Sequence, residues 1–306
     1  MTDYARTFGQ DLMRGEHRLG GGKVAVDSKV RLAPGGGGGG CWLGGPKTES
    51  SANFDKPATP AGLAFGEFGE DLQVPASGTS IFDPVLTELC YRWFCPAGGN
   101  IADPLAGGSV RGIVASVLGY RYTGFELRAE QVAANIEQAK AITPENAPVW
   151  ITGDSAATLP QWAGQADFIF SCPPYGNLEI YSDLPDDLSA MPHEDFCAAY
   201  RGIIAAAVAA LKPDRFACFV VGDFRCKKGF YRNFVGETVA AFEAAGARLY
   251  NEAILVTAVG SLPVRVGKQF KAGRKLGKTH QNILVFCKGD PKLATQAINA
   301  ANGAAA

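Results

Sequence analysis

From Ser80 onward the chain alternates short β-branched or aromatic runs with Ala-rich stretches of helical period, and this alternation limits the fold more than any other feature. Runs near 100–104, 121–126, 149–153, 167–171, 217–222, 250–258 and 282–287 read as strands, and stretches near 83–94, 109–118, 129–142, 193–211 and 231–245 read as helices. A parallel neighbour needs a crossover, so strands separated by helices imply an α/β fold with a parallel, doubly wound sheet. No helix is read between the last two strands, so the final strand is expected to return antiparallel. No internal repeat is visible.

Residues 1–78 have another texture. Segments such as "APGGGGGGCWLGG" and "PATPAG" lose too much entropy on ordering to form a core. They read as a Gly-rich extension, partly disordered or docked through Trp42, Phe54, Phe65 and Phe68, with a DNA-contacting lid as the sharper alternative. Residues 79–290 then form the α/β domain and 291–306 a flexible C-terminal tail. At 306 residues and 47% hydrophobic content the chain can bury a full core. No apolar run approaches the ~18 residues of a bilayer span, and the N-terminus lacks the order of a signal peptide, so a cytoplasmic location is expected. The eight cysteines form no CxxC pair and there are only three histidines, which points to reduced thiols and no metal. A net charge of −1 excludes a globally basic nucleic-acid binder, so any such surface must be local.

"NIADPLAGGSVRGIVASVLGYRYTGFEL" (100–127) reads strand, glycine turn, helix, strand. Such a turn lets the backbone approach a ligand and points helix N-terminal amides at it. Gly107, Gly108 and Gly112 do not fit GxGxxG, and Asp103 before the turn repels a pyrophosphate, which disfavours a dehydrogenase and suits a cationic ligand. Glu126 closes the second strand, where a carboxylate meets ribose hydroxyls, and Asp154 in "TGDS" closes the third. For Asp103 and Asp154 helix capping is the open alternative.

"DPLAGGS" (103–109), "GFEL" (124–127), "TGDS" (152–155) and "DFIFSCPPYG" (167–176) resemble, in order and spacing, the motifs of amino-group DNA methyltransferases, and "SIFDPVLTELCYRWFCP" (80–96) is similar to the segment preceding their cofactor turn. The resemblance spans roughly residues 78 to 290 and implies a Rossmann-like methyltransferase fold, a seven-stranded sheet with an antiparallel last strand. It implies S-adenosylmethionine as methyl donor and cytosine N4 or adenine N6 in DNA as acceptor, in a bacterial or phage modification setting. Carried over, Asp103, Gly107 and Ser109 would contact the methionine part, with Phe82 and Asp83 nearby. Glu126 would hold the ribose and Asp154 the adenine, while Leu105, Gly108, Leu127 and Ser155 complete the cofactor set.

In that setting Ser171, Cys172, Pro173, Pro174 and Tyr175 are the catalytic candidates. A base must be flipped out of the duplex to reach the methyl donor. The prolines cannot extend a sheet ladder and keep the preceding residue extended, which aims the Cys172 and Pro173 carbonyls outward as acceptors for an amine, with Tyr175 stacking the base. The family's motif starts with Asp, Asn or Ser, and Cys172 stands there instead. Cysteine is close to serine in size, and the serine form is typical of cytosine-amino enzymes, so cytosine is favoured. The departure leaves open a catalytically silent DNA-binding relative, or methylation of cytosine carbon-5 or of RNA. Between the last two strands, "SLPVRVGKQFKAGRKLGKTHQN" carries six basic residues and no acidic one, and reads as a loop in which Arg265, Lys268, Lys271, Arg274, Lys275 and Lys278 meet DNA phosphates. "RCKKGFYR" (225–232) is a second candidate.

Overall fold

The computed structural model describes residues 82–257 and 262–304, together with a two-residue antiparallel ladder of Arg18–Leu19 with Gly22–Lys23. The rest of the Gly-rich extension, including Trp42, Phe54, Phe65 and Phe68, lies outside the described residues. Seven strands form one sheet: β1 (Asn100–Asp103), β2 (Arg121–Glu126), β3 (Val149–Thr152), β4 (Ala166–Ser171), β5 (Leu211–Val221), β6 (Arg248–Val256) and β7 (His280–Lys288). Their order is β3-β2-β1-β4-β5-β7-β6. β1 to β5 pair in parallel, and β7 runs antiparallel to both β5 and β6, as expected. This is the Rossmann-like sheet that the sequence resemblance implied.

Two apolar layers enclose the sheet, and the period of two in its strands feeds both. Phe216, Cys218 and Val220 face one layer with Phe168 and Phe170, under α1 (Pro84–Phe94), α2 (Val110–Val117) and α3 (Ala129–Ile142). Ala217, Phe219 and Val221 face the other, under α5 (His193–Ala210) and α6 (Phe234–Ala244). The short α4 (Ser155–Thr158) follows β3.

Two segments depart from expectation. The basic segment is not a loop, because Leu262–Gly273 forms a helix, α7, between β6 and β7. Its sequence carries Leu262, Val266 and Phe270 at i, i+4 spacing with Pro263 in the first turn, a helix signal masked by the charge. The expected flexible tail is a helix as well, α8 (Pro291–Ala304). Asp290 starts it by accepting from Lys292 N–H at 2.7 Å, and Ala294 and Ile298 are buried in the first apolar layer. β5 also begins at Leu211, six residues earlier than the apolar run at 217 suggests.

Candidate active site

The strand order reverses between β1 and β4, and in such sheets the crevice beyond the carboxyl ends of those two strands receives ligands. β1 ends on Asp103 and the glycine turn, β4 on Ser171 and the CPPY run. The fold therefore sets side by side the two motifs that the sequence keeps more than sixty residues apart.

Ser171 joins them. Its hydroxyl donates to Asp103 Oδ1 at 2.7 Å and accepts Leu105 N–H at 3.1 Å. Asp103 is fully buried, and its carboxylate also accepts Arg111 Nε at 2.6 Å and the Tyr122 hydroxyl at 2.8 Å. Burial alone would pull the Arg111 guanidinium down, but Asp103 beside it raises its pKa instead. Arg111 then spends Nη2 on the Leu105 and Ala106 carbonyls at 2.8 Å each, so one ion pair ties strand end, turn and helix together. Asp103 is thus not a carboxylate open to a cation in the crevice. Arg111, Tyr122 and Asn135 were not singled out from sequence; an arginine two residues inside an apolar helix was the available signal for the first.

The turn is held from the far side too. Gly107 N–H donates to Glu126 Oε2 at 2.9 Å, and Asn135 donates to the Gly107 carbonyl at 2.7 Å. Gly107 has φ +53°, a conformation that favours glycine, and an added Cβ at Gly107 or Gly108 would meet nothing within 4 Å, so the turn faces open space. Burial raises the Glu126 carboxyl above its ordinary value, against the opposing N–H donors of Arg128 and Gly107. Ser109 precedes α2 and bonds Gln138. Ser155 is buried and donates to the Pro104 carbonyl, bringing the end of β3 against the turn. Asp154 caps α4 through Ala156 N–H at 3.0 Å, and Asp83 caps α1 through Val85 N–H at 2.8 Å, the capping role left open for Asp154. Phe82 packs on Phe170 and lies under Arg111, 4.7 Å from ring centre to guanidinium. Leu127 follows β2 beside Glu126.

In the CPPY run Pro173 is buried and Cys172, Pro174 and Tyr175 are half-buried. The Tyr175 hydroxyl accepts Gln281 Nε2 at 2.7 Å and lies 3.9 Å from Cys172 Sγ, while its ring meets Phe234 edge-on at 6.1 Å. Gln281 is buried on β7 and gave no sequence signal, since it reaches Tyr175 only through the antiparallel return of that strand. Burial pushes the Cys172 thiol up to about 11, so it is neutral and a weak nucleophile near neutral pH, which argues against carbon-5 chemistry. Gly176 turns beneath Phe224 and shares a shallow cleft with His193, Phe196 and Arg232.

Of the basic residues, Lys268, Lys271, Arg274, Lys275 and Lys278 lie on or just after α7, and Arg274 stacks on Phe270 at 4.9 Å. Arg265 is also on α7, with its side chain outside the described residues. Lys275 comes within about 3 Å of where a Gly229 Cβ would stand, so the second basic stretch meets the first. Among the described residues no helix is long and apolar enough to cross a membrane, and no group of three His, Cys, Asp or Glu side chains could hold a metal.

No protein-family model and no curated protein matches the chain. Solved structures similar to it include TrmN from Thermus thermophilus, 17% identical over 67% of this chain with a TM-score of 0.45; the chain spans 48% of that protein. A putative RNA methyltransferase from Pyrococcus horikoshii is 17% identical over 67% of this chain and 82% of its own, with a TM-score of 0.45. Magnesium protoporphyrin IX methyltransferase from Synechocystis, solved with bound SAM, is 14% identical over 67% of this chain and 79% of its own, with a TM-score of 0.40.

Proposed function

We propose that the chain transfers a methyl group from S-adenosylmethionine to an exocyclic amine of a flipped DNA base, with cytosine N4 ahead of adenine N6. The observation that carries this reading is the Ser171 bridge, which couples the glycine turn of β1 to the CPPY run of β4 within two hydrogen bonds. A donor lying over the turn and a base lying against CPPY would then meet at a fixed distance.

The open space before Gly107 and Gly108 and the carboxylate at the end of β2 fit S-adenosylmethionine. When bound, that cofactor supplies an electrophilic methyl carbon. Glu126 would hold the ribose hydroxyls by giving up its Gly107 N–H bond, with Asp154 and Ser155 beside the adenine and Leu105, Gly108, Ser109 and Leu127 lining the way. Asp103 acts in this reading through Arg111 and Ser171, as the anchor of the turn. The Cys172 and Pro173 carbonyls accept from the amine and turn its lone pair towards the methyl group. The basic residues of α7 neutralise phosphates.

The test combines calorimetry and transfer. Glu126→Ala should weaken S-adenosylmethionine binding about tenfold or more, as expected for loss of a charged hydrogen-bonding group. Wild type should move labelled methyl to unmethylated DNA in preference to an equal mass of competing RNA. Cofactor binding with salt-sensitive DNA binding but no transfer would identify a silent binder; preferential labelling of RNA would redirect the acceptor.

A further inference from the structure

The stretch "RCKKGFYR" folds as a tight hairpin between β5 and α6 that the cofactor and CPPY residues leave unused. Gly229 N–H bonds the Cys226 carbonyl at 2.8 Å, and Cys226 N–H bonds the Phe230 carbonyl at 2.8 Å. Arg225 and Tyr231 close the arms as an antiparallel bridge. A turn at Lys227-Lys228 followed by Gly229 at φ +92° is a preferred way to join two strands with glycine at the last position. Arg225 lies 3.7 Å over the Tyr231 ring and donates to the Gly229 carbonyl at 2.8 Å, which stiffens the loop from within.

Both sides of the hairpin are anchored at the site. Arg232 N–H bonds the Phe224 carbonyl at 2.9 Å, and the Phe224 ring lies against Gly176 of the CPPYG turn. The other side touches Lys275 after α7. On this braced support Phe230 is 72% exposed, flanked by exposed Lys227 and Lys228. Single exposed apolar side chains are ordinary on protein surfaces. This one differs in standing on an internally hydrogen-bonded turn, with Lys227 and Lys228 before it and Arg232 after it, on a hairpin whose base packs against Gly176 of the CPPYG turn.

Resting on the reading of base methylation above, we propose that Phe230 is a wedge that enters the DNA stack where the target base leaves. Extrusion of a base unstacks its neighbours, and an apolar ring filling the vacancy recovers part of that cost. Lys227 and Lys228 hold the phosphates on either side.

The experiment compares wild type, Phe230→Ala and Phe230→Tyr on a matched duplex and on one with the target base mispaired, together with 2-aminopurine at the target position. Phe230→Ala should lower transfer to the matched duplex about tenfold or more, the scale of the unstacking cost. The loss should nearly vanish on the mispaired duplex, and Phe230→Tyr should behave as wild type. The rise in 2-aminopurine fluorescence on binding should fall in Phe230→Ala. Equal losses on both duplexes, or no loss on either, would overturn the wedge while leaving methylation intact. Wild type that transfers to neither duplex would overturn the methylation reading, and the fluorescence comparison would still decide for or against the wedge. Absence of duplex binding would overturn both.

Discussion

Arg111 and Asp103 form an ion pair in 2.6 Å contact, with Asp103 fully buried and Arg111 nearly so, and Asp103 raises the pKa of the guanidinium. Removing one charge leaves the other uncompensated, which costs about 3–5 kcal/mol for a buried pair. Asp103→Asn should therefore lower stability by that order in urea denaturation. A variant carrying Asp103→Asn with Arg111→Met should recover a substantial part. Cys172 makes a second test at this scale. With its thiol raised to about 11, roughly one molecule in ten thousand carries the thiolate at pH 7. Its alkylation, followed by peptide mass mapping, should rise about tenfold per pH unit between pH 7 and 10. A plateau near pH 8 would mean an activated thiol and would reopen carbon-5 chemistry.

Strand β4 is fastened at both ends, and the start of it titrates. Asp167 accepts Asn100 N–H at 3.0 Å and Lys212 Nζ at 2.8 Å, with Arg215 at 3.3 Å, which joins the first residues of β1, β4 and β5. Burial pushes its carboxyl up, but these donors together hold it below the ordinary value. A depressed carboxyl stabilises the fold above its unfolded pKa of about 4 and loses that contribution as pH falls through the lower folded value. Asp167→Asn should therefore be less stable than wild type at pH 7 and converge on it towards pH 3 in thermal melts; a constant gap would contradict this. The helices that escaped the sequence reading show where local patterns failed. In α7 the i, i+4 row Leu262, Val266 and Phe270 is interleaved with Arg265, Lys268 and Lys271, so charge hid the period, and in α8 the decisive burial of Ala294 and Ile298 is a tertiary contact. The central strands β4 and β5 were legible because burial on both faces leaves nearly uninterrupted apolar runs in Ala166–Ser171 and in the second half of Leu211–Val221. Gln281 was not, since its partner Tyr175 lies 106 residues away.

At the scale of the molecule the order β3-β2-β1-β4-β5-β7-β6 makes the β1/β4 reversal the place where chemistry can be assembled. The glycine turn, the carboxylate closing β2 and the CPPY run all gather there, while α7 and the 225–231 hairpin bring positive charge to the neighbouring rim. The glycine turn and the CPPY run were legible as motifs; how they are wired, through Ser171, Arg111 and Gln281, needed three dimensions. The most direct measurement is nucleoside mass spectrometry of unmethylated DNA after incubation with the protein and methyl-labelled S-adenosylmethionine, with Tyr175→Ala beside wild type. The expected result is label in N4-methylcytosine or N6-methyladenine that disappears in the Tyr175 variant. Label in 5-methylcytosine, or none in DNA from protein that still binds the cofactor, would contradict the assignment of an exocyclic amine as acceptor.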